Sequence, residues 1–185
     1  GEPAFKPMGL GGLLSLPKKE WLIDSVIGKQ DIAMIYGAPG SGKTFVVIDL
    51  IYSGCLGNEF ARQFETGKPL NIAYCAGEGL SGLPQRFQAA SEYYGGSELP
   101  NFTFYQTVPQ LGRSGDELSN DASSVQRFTD DWRARQARGE AGQLDLLILD
   151  TFHSAIEGSD ENSSRDMGLV LNALKQAKNA LGCAV

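Results

Sequence analysis

The sequence predicts an α/β fold in three layers, a mostly parallel central sheet with helices on both faces. Three observations carry that prediction. Strand-like apolar runs alternate with segments of helical period through residues 20–185, the order that lays crossover helices on a parallel sheet. One run, Asp31–Tyr36 (DIAMIY), passes directly into a glycine-rich turn and then into a helix. Another, Leu144–Asp150 (LDLLILD), is apolar enough for a strand covered on both sides, and it ends on a carboxylate.

Residues 1–19 are rich in Gly and Pro and are expected to form a flexible N-terminal arm ahead of one domain at 20–185. Trp21–Ile27 is a short segment closed by the turn Gly28-Lys29-Gln30. Asp31–Tyr36 is expected to be a buried strand. From Lys43 the period becomes helical: Phe45, Ile48, Tyr52 and Cys55 step by three and four onto one apolar face, with Gly57 beyond the end. A loop over 58–69 leads to a strand at Leu70–Cys75. Leu83, Phe87, Ala90 and Tyr94 mark a second helix, closed by Gly95-Gly96, and the aromatic Phe102–Val108 is a strand candidate. After a polar loop over 110–120, Val125, Phe128 and Trp132 give a third helix. Met167, Val170, Leu171, Leu174, Ala177 and Leu181 trace a fourth, broken by Gly182. Cys183–Val185 has the character of a strand just begun, so the domain is expected to be truncated at its C-terminal end.

Composition narrows the class. A chain of 185 residues that is 42% hydrophobic and 21% charged can bury a core of its own. No apolar run approaches the roughly 20 residues of a membrane-spanning helix, and a cytoplasmic setting is the expectation. The three cysteines are odd in number and show no metal-ligand spacing; Cys75 and Cys183 lie in apolar runs suited to buried, reduced thiols. A net charge of −6 argues against a monomer that coats nucleic acid with its whole surface. A ring with basic loops facing a central channel stays compatible with it.

Gly37-Ala38-Pro39-Gly40-Ser41-Gly42-Lys43-Thr44 fits the phosphate-loop pattern G-x-x-x-x-G-K-[ST]. Glycines let the backbone curl so that successive N–H groups point inward at phosphate oxygens, and the following helix adds its positive end. The reading is an ATP site in which Lys43 reaches the β- and γ-phosphates, the Thr44 hydroxyl ligates Mg²⁺, and Phe45 closes the loop's first helical turn. Asp150, at the end of the most apolar strand, is the second metal-side group, acting largely through a bound water. Thr151 follows it, where many ATPases carry a water-activating Glu. The best substitute is Glu78, just past the strand Leu70–Cys75, where a carboxylate could accept a hydrogen bond from the attacking water.

Taken together, the phosphate loop, the strand-then-Glu of Ile72–Glu78 and Asp150-Thr151 resemble the RecA-like superfamily of phosphate-loop ATPases, and more narrowly its plasmid and phage replicative-helicase-like branch. Trp21-Leu22-Ile23-Asp24 before the first strand, Asp160-Glu161-Asn162 and the helix Met167–Leu181 are similar to that branch too. The resemblance runs from about Trp21 to Val185. It implies a RecA-like fold, ATP hydrolysis with Mg²⁺, Glu78 as catalytic base, a homo-oligomeric ring or filament (a hexameric ring in the helicase branch), and a motor role on single-stranded DNA in replication or recombination. Family members also carry a polar γ-phosphate sensor, basic fingers that reach a neighbouring subunit's nucleotide, and DNA-channel loops, all beyond Val185.

Other residues have plainer readings. His153, the sole histidine, and the cluster Arg133, Arg135 and Arg138 fit solvated side chains better than ligand groups, and Arg86, on the helix after Glu78, is the less favoured candidate for an approach to phosphate or a neighbouring subunit. Asp160-Glu161-Asn162 matches no calcium loop, and Tyr93, Tyr94, Phe102 and Phe104 fit a core better than a base-stacking platform. Two rival functions stay open: a phosphate-loop kinase, hinted at by Arg113 in the 110–120 loop, and an ATP-sensing regulatory module without steady turnover.

Overall fold

The computed structural model describes residues 6–96, 98–112, 122–160 and 162–185; Gly1, Arg113 and Glu161 lie outside them. A short helix α1 (Leu10–Leu14), exposed throughout, is followed by an antiparallel pair, β1 (Trp21–Ile23) and β2 (Ile27–Gly28), which buries Leu22, Ile23 and Ile27. Then come α2 (Lys43–Leu56), β3 (Ile72–Ala76), a 3₁₀ turn at Leu80–Gly82, α3 (Leu83–Tyr93), β4 (Phe102–Tyr105), α4 (Ala122–Ala137), β5 (Leu146–Asp150), α5 (Phe152–Ala155) and α6 (Ser164–Leu181).

The sheet has β3 at its centre, with β4 and β5 parallel to it on either side. Each residue of β3 is buried, as a strand covered on both faces requires. One face packs against α2 and α3 through Ile72, Tyr74 and Ala76; the other packs Ala73 and Cys75 against Phe128 and Trp132 of α4 and Leu181 of α6. The three-layer arrangement expected from the sequence is what forms. Gly54 lets α2 settle onto the sheet, since a Cβ there would stand 2.9 Å from the Ile72 Cδ1. All three cysteines are buried, and burial pushes each thiol up to about 12.

Four expectations need correction. Asp31–Tyr36 is not a buried strand. The Val185 N–H donates to the Asp31 carbonyl (3.0 Å) and the Ala33 N–H to the Val185 carbonyl (2.8 Å), a parallel pairing that stops there. Beyond it Met34 is 60% exposed and Tyr36 88%, because among the described residues nothing pairs with or covers that stretch. Phe45 does not join the buried face of α2 but is 62% exposed, since burial along this helix begins only at Val47, after its first turn. Tyr93 and Phe104 are exposed, whereas Tyr94 stacks on Tyr52 with ring centroids 5.2 Å apart. The helix traced from Met167 starts at Ser164, where the Ser163 hydroxyl caps it by accepting the Asp166 N–H.

Candidate functional site

Direction of travel gathers the expected residues. The Leu147 N–H donates to the Ala184 carbonyl and the Ala184 N–H to the Asp145 carbonyl, so residues 183–185 run parallel to β5. The segment 31–33 runs parallel to them in turn. The phosphate loop, Asp150 and Glu78 therefore all emerge at the C-terminal edge of one sheet, the edge at which open α/β sheets bind ligands. The face agrees as well. Asp150 shares its parity with Leu146 and Ile148, which pack on the α2 side of the sheet. Lys43 and Thr44 open α2, so loop and carboxylate lie on the same side of the sheet.

In the loop, Gly40 (φ 78°) and Gly42 (φ 88°) take left-handed conformations that only glycine adopts without strain. Gly42 is the N-cap of α2 and has no side chain to satisfy the helix's first amides. Among the described residues, the N–H groups of Gly40, Gly42, Lys43 and Thr44 make no hydrogen bond, which leaves four donors at the positive end of a helix of 14 residues. The Lys43 Nζ donates to the Gly37 carbonyl (2.8 Å) and the Ala38 carbonyl (3.1 Å), which holds the ammonium over the loop. This cradle is open to an anion. The Arg86 guanidinium stacks 5.5 Å from the centroid of Phe45, so Arg86 stands beside the first turn of α2.

At the strand ends the polar groups are already paired. The Tyr74 hydroxyl donates to the Asp150 Oδ2 at 2.6 Å. Burial, followed by that bond to a carboxylate, holds the phenol well above its ordinary range, while the charge of Arg86 opposes the shift. Ala76 pairs with Asp150 across β3 and β5, and the Gly77 N–H continues the ladder to the Asp150 carbonyl at 2.9 Å. That step delivers Glu78 to the turn at Asp150-Thr151, whose peptide bond is cis. There the Ser154 hydroxyl donates to the Glu78 Oε1 at 2.5 Å, and the Thr151 hydroxyl lies 3.4 Å from the same oxygen. Thr151 also caps α5 by accepting the Ser154 N–H. Gln110 buttresses this turn, its side-chain amide donating to the Ser154 carbonyl at 2.8 Å.

Tyr74, Thr151 and Ser154 were missed from sequence. The only signal was the shared parity of Tyr74 and Asp150 across two strands whose register a single chain does not announce. His153 is exposed. Arg133 donates to the Ala180 carbonyl and Arg138 pairs with Glu140, although Arg135 is largely covered and lies 5.5 Å from the Trp132 ring centroid. Thr44 and Asp150 offer a hydroxyl and a carboxylate, the hard oxygen donors that magnesium takes, so the residues present fit that ion.

Fold and site together define a RecA-like phosphate-loop ATPase domain. Residues 9–185 match a family model described as an AAA domain, and the chain belongs to that family. No curated protein sequence matches it. No helix among the described residues is long and apolar enough to cross a membrane.

Proposed function

We propose that the chain binds MgATP and hydrolyses it, with Glu78 as the base, and that it works as a DNA motor of the replicative-helicase kind in the cytoplasm. The observation that supports hydrolysis above all is the position of Glu78, two residues beyond β3 and beside the turn that follows Asp150. In this reading the amides of Gly40, Gly42, Lys43 and Thr44 and the Lys43 ammonium hold the triphosphate, with Phe45 walling the first turn. Thr44 and Asp150 would hold magnesium, which when bound draws charge from the β- and γ-phosphate oxygens. Glu78 accepts a proton from water as the water oxygen bonds to the γ-phosphorus. The bond from that phosphorus to the β,γ-bridging oxygen breaks, and ADP leaves with the electron pair. The motor assignment, with a homo-oligomeric ring such as a hexamer and single-stranded DNA as partner, draws its support from the likeness to the replicative-helicase branch.

ATP turnover measured with and without single-stranded DNA tests both levels. Phosphate released to water, and faster in the presence of DNA, is the expected result. Turnover indifferent to DNA defeats the motor assignment, and transfer of the γ-phosphate to an added nucleoside makes the protein a kinase. Tight binding with no turnover makes it an ATP sensor.

A further inference from the structure

Tyr74 takes no part in the chemistry described above, yet its hydroxyl is hydrogen-bonded to the metal-side carboxylate. Its residue is wholly buried, and its ring is confined between Phe87 and Phe104, with centroids 6.3 Å and 5.7 Å away. Its backbone is fixed by pairing with Ile148, two rungs before the pairing of Ala76 with Asp150. The hydroxyl thus issues from a ring packed against Phe87 and Phe104, and it ends 2.6 Å from the Asp150 Oδ2. Among the described residues no other side chain hydrogen-bonds that carboxylate.

We propose that Tyr74 is a positioning residue for Asp150: its hydroxyl occupies Oδ2, stops rotation of the carboxylate, and leaves Oδ1 for the metal's shell. The inference rests on the MgATP reading above. A neutral donor suits the task, because it orients the carboxylate without cancelling the charge that attracts a cation. Partners that hold a metal-side carboxylate in this manner commonly contribute 10-fold to 100-fold to metal affinity, since an unheld ligand must be ordered when the ion arrives.

Tyr74→Phe removes one oxygen and keeps the ring packing, and far-UV circular dichroism verifies the fold. The measurement is Mn²⁺ affinity in the presence of a saturating, non-hydrolysable ATP analogue, read by electron paramagnetic resonance of the ion. Expected for Tyr74→Phe is a loss of about 10-fold, with affinity for the analogue in EDTA unchanged and turnover restored by raising Mg²⁺. Asp150→Asn is measured alongside. A loss in Asp150→Asn but none in Tyr74→Phe overturns the tyrosine's role alone. Unchanged Mn²⁺ affinity in both overturns the placement of the metal at Asp150, and the tyrosine's role with it.

Discussion

Among the described residues the amides of Gly40, Gly42, Lys43 and Thr44 have no partner, whereas at the ends of β3 and β5 the hydroxyls of Tyr74 and Ser154 are already bound to carboxylates. The two regions share one sheet edge and solve different problems. A phosphate brings its own acceptors and charge, so the loop needs only unsatisfied donors in a fixed curl. A catalytic or metal-side carboxylate can rotate and repel its neighbour, so it needs to be held before substrate arrives. Backbone supplies the first region and cross-strand side-chain bonds supply the second.

The sharpest break in the comparison comes from Glu78→Gln, which keeps the shape and removes the proton acceptor. The expected drop in kcat is about 10²-fold to 10⁴-fold, the usual share of a general base, with ATP affinity within about twofold because the loop is untouched. A kcat above about a tenth of the original would move the base elsewhere. Lys43→Ala breaks the other region. Two charge-assisted contacts to phosphate at roughly 1.5 kcal/mol each weaken ATP binding about 100-fold. Calorimetric titration with an ATP analogue measures it. The melting temperature is expected to move by only about 2 °C, as for a substitution outside the core.

How much of this was legible in the sequence follows the same division. The loop is a matter of local backbone, so Gly37–Thr44 announces itself through glycine spacing and a following helix. Leu146–Asp150 announces itself through unbroken apolarity, whereas Glu78 stands out only through the resemblance to the superfamily, since its spacing alone suits a solvated loop carboxylate as well. Asp31–Tyr36 has the same apolar character as Leu146–Asp150, yet Met34 and Tyr36 lie open, because burial of a strand depends on neighbours that its own residues do not specify. Phe45 continues the helical period of Ile48 and Tyr52, but a period carries no record of where along the helix burial begins. Tyr74 and Ser154 are 76 residues from the carboxylates they hold. Only the parallel register of β3 and β5 brings them together.

The smallest effect examines how firmly the strand-end region must be held. Ser154 donates to the Glu78 Oε1 at 2.5 Å and is itself fixed by the Thr151 cap and by Gln110. Ser154→Ala deletes that contact and leaves the weaker one from Thr151 at 3.4 Å, so Glu78 samples more rotamers and meets the water less often. A fall in kcat of about fivefold is expected, equivalent to roughly 1 kcal/mol for one lost hydrogen bond, with ATP affinity unchanged. Ser154→Thr keeps the hydroxyl and is expected to recover most of the rate. In the Glu78→Gln background Ser154→Ala is expected to add little, because a residue acting through Glu78 has nothing left to orient. A rise in kcat on Ser154→Ala would reverse the argument, for the serine would then be holding the base away from its water and the pairing at the strand ends would act as a restraint.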